Sequence, residues 1–128
     1  MRKRLSGIFI VTALVGLALQ ACAPVPPRHP ISDGATIQRE LNDRTVVGYF
    51  TNGQSYCEYH TPNGTLIGRD TEIYAGNWRV AKDWICYAYP GSPEDCQRAY
   101  ISGRSVTFYD QSGDVISRGN IVDGNVCS

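Results

Sequence analysis

From residue 45 onward the chain is cut into short pieces by turn-forming residues, and this punctuation constrains the fold more than any other feature. The signals are Asn52-Gly53, Asn63-Gly64, Lys82-Asp83, Pro90-Gly91-Ser92-Pro93, Gly103, Ser112-Gly113 and Asp123-Gly124. Between them lie eight segments suited to strands, at 45–50, 55–61, 65–69, 74–81, 84–89, 96–102, 105–109 and 115–122. The first, Thr45–Phe50, is rich in β-branched and aromatic residues, which fit a pleated surface. Parallel neighbours need a crossover of about a dozen residues, so links this short impose antiparallel pairing. The expectation is an all-β domain, a small eight-stranded antiparallel meander that closes into a barrel and so removes its exposed edges. A β-sandwich is the alternative.

Alternation assigns the faces. Trp78 and Val80 fall on one side of their strand, with Asn77 and Arg79 opposite. Val106 and Phe108 share a face, as do Ile85, Tyr87 and Tyr89, which oppose Trp84 and Cys86. Phe50, Trp78, Trp84 and Phe108 are expected to fill the interior. The segment 60–69 echoes 109–118: each has a glycine turn, two apolar residues and then an arginine two further on. Two hairpins with one turn solution explain the echo. A single short helix is predicted at 34–42, capped by Ser32 or Asp33, with Ile37 and Leu41 on one face. Two turns of helix are stable only when packed, so it should lie against an end or edge of the sheet.

The first 22 residues are of another kind. Arg2, Lys3 and Arg4 precede an apolar run to Leu19, and small residues follow, the pattern of a secretory signal. Leu19-Gln20-Ala21-Cys22 resembles a bacterial lipobox. That resemblance implies a signal peptide at 1–21, cleavage before Cys22 and lipidation of Cys22 on its sulfur and its new amino group. With Ala23 next, the resemblance further implies a bacterial envelope lipoprotein of the outer membrane, anchored by its acyl chains. Four prolines at 23–30 then read as a polyproline tether over 22–30, with His29 solvated, ahead of one domain at 31–128.

Cysteine usage agrees with an oxidising compartment. Apart from Cys22, an even set remains: Cys57, Cys86, Cys96 and Cys127. Of three possible pairings, Cys86–Cys96 with Cys57–Cys127 is favoured: the first closes a short hairpin, the second spans most of the domain. Close C-x-x-C pairs are absent, so neither metal nor cofactor is expected.

Three of twelve basic residues lie in the signal, which leaves nine basic against twelve acidic side chains, and no run of like charge after it exceeds two residues. This excludes a nucleic-acid surface. Phosphate loop, nucleophile elbow and H-x-x-x-H are all missing. His60 is the one histidine of the domain, and Glu58 shares its strand face. Such a pair is either a solvated contact or, in a cleft, an acid–base pair. Eight tyrosines are spread over the strands. An apolar ring with a polar tip suits a binding surface, and Tyr56, Tyr87, Tyr89 and His60 are the binding candidates.

Gly76-Asn77-Trp78-Arg79-Val80, with the disulfide-bonded meander, resembles lipocalin-type barrels and the bacterial periplasmic metalloprotease inhibitors built on that plan. The resemblance covers roughly the last 85 residues. The four-cysteine layout departs from those inhibitors, so no site residue is carried over. The reading is a non-catalytic, membrane-anchored envelope lipoprotein that binds a protein or cell-wall partner. A carrier of a small apolar ligand, a protease inhibitor and an enzyme centred on His60 are the alternatives.

Overall fold

The structure, a computed structural model, describes residues 28–128. The signal, the lipobox with Cys22, and the tether as far as residue 27 lie outside the described residues. A helix α1 (Gly34–Leu41) precedes β1 (Arg44–Phe50), β2 (Ser55–His60), β3 (Thr65–Arg69), β4 (Ile73–Ala81), β5 (Trp84–Ala88), β6 (Asp95–Ser102), β7 (Ser105–Tyr109) and β8 (Val115–Asp123). The strands pair in chain order, all antiparallel, and β8 returns to β1 to close a barrel. The meander barrel, not the sandwich, is the fold.

Three hairpins share one turn. In each, the N–H of the glycine donates to the carbonyl three residues back: Gly53 to Phe50, Gly64 to Thr61 and Gly113 to Asp110. All three glycines have φ between 86° and 90°, where a side chain is strained. This is the three-residue loop that ends in a glycine bulge. The preceding Asn or Asp secures it: Asn52 Oδ1 accepts from Gln54 N–H, Asn63 Oδ1 from Thr65 N–H, and Asp110 Oδ1 from Ser112 N–H. The echo between 60–69 and 109–118 is this shared turn.

One end of the barrel is plugged by α1. Asp33 is its N-cap and accepts Thr36 N–H at 2.7 Å. Gly34 N–H donates to Asp83 Oδ1 in the β4–β5 turn. A Cβ on Gly34 would overlap the Lys82 carbonyl oxygen, so only glycine lets the helix start so close to that turn. Ile37 and Leu41 are wholly buried in the barrel core. Each such side chain contributes about 1.5–3 kcal/mol of apolar burial, and this packing gives so short a helix its stability.

Residues 28–33 cross the outside of the wall. Arg28 donates to the Ser112 carbonyl in the β7–β8 turn, and the His29 ring stacks on Tyr109 at 4.9 Å. Further along, Ser32 N–H donates to the Ala99 carbonyl and Ser32 Oγ accepts Ile101 N–H. β5 pairs with β6 only over Ile85–Gln97, Cys86–Cys96 and Tyr87–Asp95. Ser32 therefore occupies backbone positions on β6 that β5 leaves free. The last residues of the expected tether, from Arg28 to Pro30, thus lie against the barrel, and His29 has an aromatic partner.

The interior is filled by Val46, Leu66, Trp78, Ile85, Tyr87, Phe108 and Ile121, with Phe50 and Val80 packed on it. Trp84 corrects the expectation for the core. It begins β5 with its side chain on the outer face, where the Arg98 guanidinium lies 4.1 Å from its ring centre. Alternation separates Trp84 from Tyr87, and the side with Ile85, Tyr87 and Tyr89 is the one that faces in. Cys86 and Cys96 sit directly opposite on β5 and β6 and are bonded, and Cys57 on β2 is bonded to Cys127 beyond β8.

Candidate functional site

The end opposite α1 opens to solvent between the β1–β2 and β3–β4 turns. Phe50, Tyr56, Glu58, Asp70, Tyr74 and Tyr89 line a mouth of about 300 Å³, with Gln54 and Ser55 at its edge. Glu58 forms its floor. The side chain points inward from β2, and the residue is only 8% exposed. Its Oε1 accepts two phenol hydrogen bonds, from Tyr74 at 2.8 Å and Tyr89 at 2.7 Å. Among the described residues, no donor reaches Oε2 and no lysine or arginine pairs with Glu58.

Two glycines make room for these rings. A Cβ on Gly68, on β3, would overlap the Tyr74 ring, and one on Gly76, on β4, would press on the Ala88 carbonyl and the Tyr89 ring. Both glycines are buried within strands. A glycine inside a strand weakens it unless another group must approach closely. Here the approaching groups are the tyrosines that hold Glu58. The Tyr74 and Tyr89 rings meet edge to face at 5.9 Å, and Phe50 and Tyr56 close the other side at 4.7 Å.

Burial and charge shift the titration of the whole group. Desolvation pushes Glu58 above the ordinary carboxylate range, against the two phenol bonds that pull it down. Desolvation raises Tyr56 to about 12, opposed by its bond with Ser117. Tyr74 and Tyr89 are likewise raised, first by burial and then by the Glu58 charge. At the rim, Asp70 accepts the Glu72 N–H, which holds its carboxyl low.

His60 lies two residues deeper and belongs to a different environment. It is wholly buried, its Nε2 lies 3.0 Å from the Tyr87 hydroxyl, and its ring packs edge-on to Trp78 at 5.1 Å. Burial pushes its pKa down to about 4, so it is neutral at pH 7. Among the described residues Nδ1 has no hydrogen-bond partner. His60 and Glu58 share a face, as alternation implies, but that face is the inside of the barrel, where Glu58 floors the mouth and His60 is sealed beneath it, so the two are not set in a cleft as a pair. Each takes its own tyrosine partners. Of the four binding candidates, Tyr56 and Tyr89 line the mouth, and Tyr87 and His60 lie beneath it. Sequence reasoning passed over Tyr74 and took Glu58 only as a companion of His60. Gly68 and Gly76, inside strands and away from turns, were the available signal.

Two other places hold grouped functional side chains. A groove of about 270 Å³ lies on the outer wall between Arg28, His29, Trp84, Arg98 and Tyr109. Its cations are engaged: Arg28 with Ser112 and Asp114, Arg98 with the Trp84 ring. Cys86, Glu94 and Cys96 are the one cluster with metal-like spacing among the described residues, and both sulfurs are in a disulfide. No family model, curated protein or solved structure matches the chain.

Proposed function

We propose that the protein is a lipid-anchored envelope lipoprotein of the bacterial outer membrane whose barrel binds a partner without converting it. The lipobox resemblance at Cys22 supports the anchor, and the mouth supports binding. The observation that carries the reading is how the interior is divided. Trp78, Tyr87, Phe108, Leu66 and Ile85 fill the middle of the barrel, α1 blocks one end, and the polar, aromatic mouth is the part of the inner face left open to solvent at the other. A filled interior disfavours a lipocalin-like carrier, because an apolar ligand needs that volume. The only histidine of the barrel is neutral and fully covered, which disfavours acid–base chemistry there.

The anchor is tested by fractionation. Wild-type protein should partition into the membrane and the detergent phase, globomycin should accumulate the uncleaved precursor, and Cys22→Ala protein should not carry acyl chains. A Cys22→Ala protein that remains acylated and membrane-bound would overturn the lipoprotein reading.

A further inference from the structure

An ionised carboxylate taken out of water normally keeps a cation beside it, because desolvation costs several kcal/mol when it is unpaired. Glu58 departs from this. It is more than nine-tenths buried, it lines the mouth, and its Oε2 has no donor among the described residues, both phenol bonds going to Oε1. Asp70 adds a second acidic group at the rim, and among the described residues no basic side chain lines the site. The remaining walls are the rings of Phe50, Tyr56, Tyr74 and Tyr89. Aromatic walls around a negative floor favour one chemistry, since ring quadrupoles and a carboxylate both attract a cation. A hard metal ion would need about six oxygen ligands, and among the described residues Glu58 belongs to no cluster of three potential metal ligands. An organic ammonium ion needs only a carboxylate and ring faces.

We propose that the mouth is a receptor site for an organic ammonium group, held by Glu58 Oε2 against the rings of Tyr74, Tyr89, Tyr56 and Phe50. This rests on the reading of the protein as a binding module and names the chemistry of its ligand. Tyr74 and Tyr89 act as positioning residues as well as walls, because their hydroxyls fix Oε1 and so aim Oε2. The ammonium belongs either to a free small amine or to the headgroup of a zwitterionic lipid. Position favours the headgroup. Arg28, the first described residue, is fastened to the β7–β8 turn, at the same end of the barrel as the mouth. It lies six positions after Cys22, a reach of at most about 20 Å. A barrel anchored through Cys22 would therefore present its mouth toward the membrane.

The groups that face Glu58 are Tyr56 on β2, Tyr74 on β4, Tyr89 after β5, Tyr87 below it and Asp70 at the rim. The four tyrosines are raised and Asp70 is lowered, while Glu58 is itself raised, so its carboxyl takes up a proton at higher pH than that of Asp70 and the phenols stay protonated. Binding of a cation should therefore strengthen as pH rises through the raised Glu58 pKa.

The test titrates the full chain, purified in a neutral maltoside detergent and labelled with 13C-tyrosine, with tetramethylammonium and with ethanolamine. Saturable shifts are expected at Tyr56, Tyr74 and Tyr89 and not at Tyr100 on the outer wall. Neutral tert-butanol should give none. Glu58→Gln should weaken binding by at least about tenfold, equivalent to about 1.4 kcal/mol. Tyr74→Leu, which keeps the carboxylate and removes one ring, should weaken it about threefold or more, and it decides the matter if Glu58→Gln fails to fold. Vesicles that contain phosphatidylethanolamine should reproduce the shifts, and phosphatidylglycerol vesicles should not. If the free amines bind and the phosphatidylethanolamine vesicles do not, the ligand is a soluble amine and the headgroup assignment is overturned. Absence of saturable shifts with any amine, or Glu58→Gln protein that binds as wild type does, overturns the site itself. Neither result bears on the fractionation of Cys22→Ala protein, so the anchor and the ammonium site fail separately.

Discussion

The two ends of the barrel are built by opposite means. At the closed end a helix inserts Ile37 and Leu41 among apolar neighbours, and Gly34 brings it against the unyielding backbone of Lys82. At the open end Gly68 admits a tyrosine ring that can turn aside, and the floor is a carboxylate rather than a hydrocarbon. The first end is organised for stability. The second gives up stability to keep a polar group under cover. Natural proteins accept such local losses at functional sites. The contrast is sharpest along one strand, where His60 and Glu58 are two positions apart: one is neutral and sealed, the other is uncompensated beneath an opening.

The comparison predicts a graded set of effects. Leu41→Ala should cost about 2–5 kcal/mol, as core truncations that leave a cavity do, and should lower the urea midpoint while any mouth titration of the folded protein is unchanged. If Leu41→Ala were nearly neutral, the helix would not be the plug described. His60 supplies the next effect. Its folded pKa of about 4 lies below the ordinary 6.5. The unfolded chain therefore takes up a proton in this window and the folded chain does not. The stability is complete above pH 6.5 and is lost as pH falls toward about 4, by on the order of 3 kcal/mol. Urea unfolding across that window should show the loss in wild type and a flattened slope in His60→Gln.

Gly68→Ala should be milder in stability, about 1–3 kcal/mol for an overpacked methyl, because the Tyr74 ring is able to move. It should nevertheless disturb the Tyr74 and Tyr89 ring signals more than Gly34→Ala does, although Gly34→Ala meets backbone and destabilises more. The smallest effect has the opposite sign. Glu58 has a raised folded pKa, so its contribution is present below the unfolded value and lost as pH rises through the folded one. Glu58→Gln should remove that loss and leave the protein as stable as wild type, or more so, in urea titrations carried out as pH rises through the folded Glu58 pKa. A marked loss of stability there would mean that the charge is structural.

The strands were legible because turn residues marked their ends: 65–69 and 105–109 match β3 and β7. The helix was legible from Asp33 and the spacing of Ile37 and Leu41. The disulfides follow the favoured pairing, which the hairpin register explains for Cys86 and Cys96. The mouth was harder to read. Alternation divides 55–60 into two faces, but Tyr56, Glu58 and His60 look no more like core than Ser55, Cys57 and Tyr59. Only the register with β1 and β3 decides which set faces in. Trp84 shows the same limit in reverse, since its size suggests an interior place and its strand position denies one. Ser32 could not be foreseen on β6, because nothing local indicates that β5 and β6 separate beyond Gln97.

The bridge between Cys57 and Cys127 spans 70 residues, and both halves of the Cys86–Cys96 bridge lie between its ends. A chain made from its amino end offers three thiols to an oxidant before the fourth has emerged. Cys86 and Cys96 arrive close together and join across their own hairpin. Cys57 must either stay reduced through that interval or exchange out of a premature bond. Barrel closure is thus tied to the order in which the sulfurs become available.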